Sequence, residues 1–221
     1  MGNRVDEFEV EGYVTQVHGP GDFVIGNTRV QTTASTEFRG GAIDEIVVGA
    51  KLSAEGRWEN GVLLAKHVKF HQSVRLEGDI QTVAGSSITI TGLPGVTVTV
   101  NGQTEFKDGS LGNLSPGDHI RVRGRLNGTD SMLATLVELR ASDNDVDLQG
   151  PVQAVSNQTL TILGLAINTA GISDGNFEGL TDQSIGRTAF FNAVRVGTVV
   201  KVKGELLSNG TVIWDEAELE D

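Results

Sequence analysis

A chain of 221 residues with a net charge of -12 lacks the cationic excess that general nucleic-acid binding needs, and without cysteine it has no disulfide framework. Its 29 glycines and 5% aromatic residues, with abundant Val and Thr, point to short strands joined by tight turns. No run reaches the ~20 apolar residues of a membrane-spanning helix, and no charged-then-apolar secretory pattern opens the sequence.

The first predicted strand is Phe8-Glu-Val-Glu-Gly12-Tyr-Val-Thr-Gln-Val17, alternating in polarity and interrupted by a glycine that marks a bulge or bend. Turn residues Gly19-Pro-Gly21 lead to a short apolar strand, 23–25, and then to Thr28-Arg-Val-Gln-Thr32. Thr36-Glu-Phe38 follows, its Phe read as a core plug, and then a connector over 42–47 with the length of a helical turn or two. The next strand is bounded by glycines seven positions apart, Gly49-Ala-Lys-Leu-Ser-Ala-Glu-Gly56. Trp58-Glu-Asn-Gly61 turns the chain into a closing strand over 64–70, and an Asn-Gly pair between strands is a strong hairpin signal.

The same order recurs twice. Val74-Arg-Leu-Glu-Gly78 and Val146-Asp-Leu-Gln-Gly150 repeat the opening strand. Gly117-Asp-His-Ile-Arg-Val-Arg-Gly124 and Gly197-Thr-Val-Val-Lys-Val-Lys-Gly204 repeat the glycine-bounded one. Thr104-Glu-Phe106 repeats the Thr-x-Phe, and Gly175-Asn-Phe177 does so more loosely. The spacing predicts an all-β protein of three tandem repeats, 1–72, 73–142 and 143–221, the third with a longer insert at 168–193. Five to six strands per copy, with a short helix or turn before the penultimate pair, give a small OB-like β-barrel. A single large sandwich is the alternative architecture. Against it, the glycines at 12, 78 and 150 and those at 56, 124 and 204 both advance by one domain length per copy.

An apolar strand ending in Glu-Gly or Gln-Gly, a Thr-x-Phe, a Gly-x-x-Val-x-Val-x-Gly strand and a closing Asn-Gly hairpin resemble the domain of unknown function 5666 family. The likeness covers about residues 8–220. It implies a bacterial protein of tandem β-domains, often carrying an export signal, and hence an extracytoplasmic, periplasmic or extracellular, location. It implies no reaction and no catalytic residues.

Several side chains are candidates for chemistry. Asp143, Asp145 and Asp147 alternate in the way that can place oxygens around calcium, but the glycine and distal Glu of a complete calcium loop are missing. His67 and His71 flank a strand end, where four residues span roughly 13 Å rather than a metal's reach. His18 and His119 read as surface histidines. Arg121, Arg123 and Arg125 alternate along one strand, either as a solvated face paired with acidic neighbours or as a basic face for a polymeric ligand; Trp58 beside its turn reads as core or inter-domain packing, or as an exposed sugar or protein contact. Copy one carries Ser53 and Glu55 in place of the first two arginines, so this stripe does not run the length of the chain.

No glycine-flanked nucleophile occupies a strand-turn-helix setting, and no polar constellation is shared by the three copies. The expectation is a non-catalytic exported repeat protein with no cofactor. It would be a structural or interaction module of the cell envelope, a subunit of an extracellular assembly or filament, whose partner is a protein or a further copy of itself. The alternative is a binding protein using a barrel face for an oligosaccharide or other polymer. An enzyme would require a concave site with convergent titratable groups.

Overall fold

The computed structural model describes residues 7–220, in two compact units, 1–72 and 73–221. The fold is all-β, a tandem barrel-like repeat.

Copy one contains β1 (Phe8–Gly19), β2 (Asp22–Ile25), β3 (Thr28–Arg39), β4 (Lys51–Glu59) and β5 (Val62–Phe70). They close a barrel in the order β1-β2-β3-β5-β4, with β3 parallel to β5 and the remaining neighbours antiparallel. The connector is a single 3-10 turn, Ile43–Glu45, between the third and fourth strands. Strand β1 reaches around the barrel by changing partners: Phe8 to Tyr13 pair with β4, and Val14 to Gly19 pair with β2. Its inward residues join a core of Val14, Phe23, Ile25, Val30, Leu52, Leu63 and Val68. Phe38 packs on this core while partly buried. The neighbouring Thr36 hydroxyl donates to the Ala65 carbonyl at 2.6 Å, where β3 bows away from β5.

The two glycines of the repeated strand have different causes. Gly49, Gly117 and Gly197 turn the chain at φ of 88°, 90° and 92°, where a side chain is strained. Gly56, Gly124 and Gly204 sit at a register shift. A Cβ there would collide with the facing carbonyl of Leu64, Leu133 or Ile213.

Copy two repeats the ring with β6 (Val74–Ala84), β7 (Ser87–Ile90), β8 (Thr97–Thr99), β9 (Glu105–Lys107), β10 (His119–Leu126) and β11 (Ser131–Leu139). The pairings β6-β7-β8-β11-β10 return to β6, and β9 lies parallel to β11. The 3-10 turn Leu111–Asn113 holds the connector position.

Copy three contains β12 (Asp145–Pro151), β13 (Ala154–Ser156), β14 (Thr159–Ile162), β15 (Leu165–Asn168), β16 (Phe177–Glu178), β17 (Val199–Leu206) and β18 (Val212–Glu220). Here β13, β14 and β15 form a sheet of their own, and the parallel neighbour of β18 is β16 from the insert. The insert also carries α1 (Gly186–Ala193). Phe177 and Phe190, both fully buried, and Phe191 stack ring against ring at 5.2 to 6.0 Å. The three rings gather β16 and α1 within the insert, where the sequence departs from the repeat pattern at 168–193.

Candidate functional site

Copies two and three are joined by backbone. Strand β12 adds to β6 antiparallel, with Glu77 opposite Asp147, Leu76 opposite Leu148 and Arg75 opposite Gln149. Leu76 and Leu148 both lie two residues before the strand glycine of their own copy, so the seam is built around one repeat position meeting itself. Both leucines are fully buried. The contacts to either side are also made twice. A Cβ at Gly92 would come 2.5 Å from Val212 and 3.1 Å from Leu206, in copy three's closing hairpin. A Cβ at the matching Gly164 would come 3.1 Å from the Asp130 Cβ, in copy two's hairpin. Gln153 fastens that side, donating to the Thr129 carbonyl at 2.7 Å and accepting the Gly164 N–H at 2.8 Å.

Pairing aligns one row of outward side chains across six strands: Glu138, Arg121, Glu77, Asp147, Lys203 and Glu216. Arg121 grips the buried Glu77 with both arms, at 2.6 and 3.2 Å, and that carboxylate holds the guanidinium pKa up. Burial pushes the Asp147 carboxyl up, against the pull of Lys201. Lys203 binds Glu216 directly and lies 3.4 Å from Glu218. Burial works to lower the Lys203 pKa, but the two glutamates outweigh it and hold the ammonium well above its ordinary range. Two carboxylates therefore meet at the seam, and cations stand in the next strand on each side.

His119 lies beneath this row and corrects the surface reading of its sequence position. Its side chain is fully buried. Nδ1 lies 2.8 Å from Asp79, and Nε2 lies 3.1 Å from Asp143 and 3.7 Å from Glu77. Nothing in its flanking sequence marks this, because the enclosure comes from β6 and from the segment between copies.

The other predicted residues are dispersed. Of the three arginines, Arg121 is taken by Glu77, Arg123 is exposed and Arg125 is 3% exposed. The register shift between Arg123 and Gly124 ends the simple alternation that would have kept them together. Trp58 is 50% exposed and tilts against Phe8 at 6.5 Å between ring centres. Asp143 accepts the Asp145 backbone N–H at 3.0 Å, and Asp147 faces the seam. His67 lies 3.2 Å from Glu37, and His71 lies 3.1 Å from the Ser53 hydroxyl, its pKa lowered by burial. Among the described residues, three carboxylates gather elsewhere: Glu178, Glu216 and Glu218 have oxygens within 4.8 Å of one another. The Lys201 and Lys203 ammoniums already contact this group. No helix of the described residues is long and apolar enough to cross a membrane.

A family model described as "Domain of unknown function (DUF5666)" matches residues 11–69, 77–138 and 149–213. No curated protein matches the chain.

Proposed function

The chain belongs to the DUF5666 family through all three of its repeats, and from that premise we propose that it is a non-catalytic interaction module working outside the cytoplasm, a structural subunit of the cell envelope or of an extracellular assembly. The observation that carries this reading is the β6–β12 seam. One copy of the repeat recruits another through the edge of its first strand, and edge pairing is a general route by which β-domains bind extended partners. The residues that the three copies share build strands and turns, while the polar residues differ from copy to copy. Negative-stain electron microscopy of native material, with light scattering on the same sample, tests the proposal. Regular assemblies or a defined oligomer are expected; a clean monomer of 23.4 kDa at high concentration counts against it.

A second reading, binding of an oligosaccharide, draws on a shallow groove of about 690 Å³ in copy three. Asn157, Gln158, Asn168 and Asn192 line it beside Phe191, a combination of amides and an aromatic ring suited to hydroxyl-rich ligands. A glycan-array screen separates the two readings.

A further inference from the structure

We propose that the free edge of copy one, residues 8–12, docks an extended basic strand from a partner polypeptide. This inference rests on the interaction-module reading and gives its partner a chemistry.

The first observation is an inequality between equivalent strands. In copy two the opening half of β6 is paired on both edges, with β10 on one side and β12 on the other. In copy one the same half of β1 pairs with β4 from Phe8 to Tyr13. Among the described residues no strand pairs with its other edge. An unpaired edge offers backbone donors and acceptors to any extended chain of suitable side-chain pattern.

The second observation is where the apolar groups lie. Val10 holds the position of Leu76 and Leu148 and packs on the copy-one core while only partly buried. Trp58 stands where copy three has Leu206, the residue that approaches Gly92 across the seam. Trp58 and Phe8, in ring contact, are each 50% exposed. The positions that meet a neighbouring copy in the seam thus remain open in copy one, with a smaller Val10 at the centre and larger Phe8 and Trp58 to its side.

Charge then selects the occupant. Copy two carries Arg75, Arg121 and Arg123 on the outer face of this region; copy one carries Glu9, Ser53 and Glu55 at the same places. Glu9 lies beside Glu55 in register, while Glu11 has Lys51 at 3.7 Å and His71 at 3.9 Å, with Lys69 one strand further on beside Ser53. A second copy pairing about Val10 would set Glu9 against Glu11 on both sides, and like charges directly opposite are destabilising. A strand of alternating apolar and basic residues resolves the conflict. An apolar residue would face Val10, Lys or Arg would face Glu9 and Glu11, and the next apolar positions would reach Phe8 and Trp58.

The test uses the full chain and a labelled, end-blocked peptide, Thr-Val-Lys-Val-Lys-Val-Thr, followed by fluorescence anisotropy, with sedimentation of the protein alone. The wild-type chain is expected to bind this peptide and to reject its counterpart with Glu in place of Lys. The exposed double substitution Glu9→Lys/Glu11→Lys is expected to weaken binding about tenfold or more, from two lost ion pairs, and to reverse the preference. Glu9→Arg restores the Arg-x-Glu order of copy two and is expected to turn the chain into a self-associating dimer. Equal binding of both peptides, or binding unmoved by the double substitution, overturns the proposal. A wild-type dimer that the double substitution abolishes also overturns it, assigning the edge to a second copy. Native assemblies together with no peptide binding overturn this docking site alone and leave the interaction-module reading in place.

Discussion

Leu76 and Leu148 lie directly opposite one another across the β6–β12 seam, each the same position of its own repeat and each fully buried. The local twofold relation between copies two and three passes through this pair. Replacing either by Ala removes buried methyl groups at a crowded place and should cost about 2–5 kcal/mol. Because the two are in contact register, their effects should not add. A double-mutant cycle read by chemical denaturation is expected to show a coupling above ~0.5 kcal/mol; strict additivity would mean that the seam contributes little to the stability of residues 73–221.

Arg121 and Glu77 form a two-armed charged contact beside that seam. Glu77 is 6% exposed, so Arg121→Ala leaves a carboxylate deprived of its two-armed partner. Removing one member of a buried pair costs up to about 3–5 kcal/mol, less where, as here, Arg75 and Arg140 remain within 3.9 Å of the carboxylate, whereas replacing both by apolar residues of similar size is often neutral. Arg121→Ala should therefore destabilise far more than the double change Arg121→Met/Glu77→Leu. Thermal unfolding followed by circular dichroism would show the order, and equal losses would contradict it.

Asp147 gives a prediction with a definite sign. Burial raises its carboxyl pKa above the ordinary 3.8, so the folded chain holds that proton more tightly than the unfolded one. Its contribution favours the fold at low pH and is lost as pH rises through the raised value. Asp147→Asn removes a partly buried charge, so the variant should be more stable than the parent at pH 7. Below pH 3.8 the difference should vanish. Denaturant midpoints measured from pH 3 to 7 provide the check.

Asp22 behaves in the opposite way. The Arg29 guanidinium, at 2.7 Å, holds its carboxyl down to about 2. Stability from this pair is fully present above 3.8, the ordinary value, and is lost as pH falls toward 2. Arg29 is half exposed, so Asp22→Asn should cost under ~1 kcal/mol at pH 7. The acid-unfolding curve of the variant should be flatter between those two pH values.

The sequence carries the repeat itself in plain form. Glycines at 49 and 56, 117 and 124, and 197 and 204 are required by a left-handed turn and a backbone collision, so they recur wherever the strand does. The alternation of Ile120 and Val122 or Val200 and Val202 marks the inward face, and these four are fully buried. What the sequence does not disclose is which edge meets which. Strand edges are made of backbone, identical in every residue, so the β6–β12 pairing leaves no pattern in Val74-Arg-Leu-Glu-Gly78. The burial of His119 depends on Asp79 and Asp143, which approach it from elsewhere in the chain. Arg125 illustrates a third limit, since one register shift in β10 changed which arginines stay accessible. The insert of copy three was legible as a departure, but its three-ring plug follows from packing that no periodicity encodes.

Both strands of the seam belong to one polypeptide, separated along it by the length of a single repeat. Their meeting is a unimolecular event governed by an effective local concentration, which dilution of the protein does not change. The first copy's edge has no such tether. With the proposed docking, occupancy of that edge would follow the abundance of its basic partner strand, so the chain would combine one joint that is permanent with one that responds to supply.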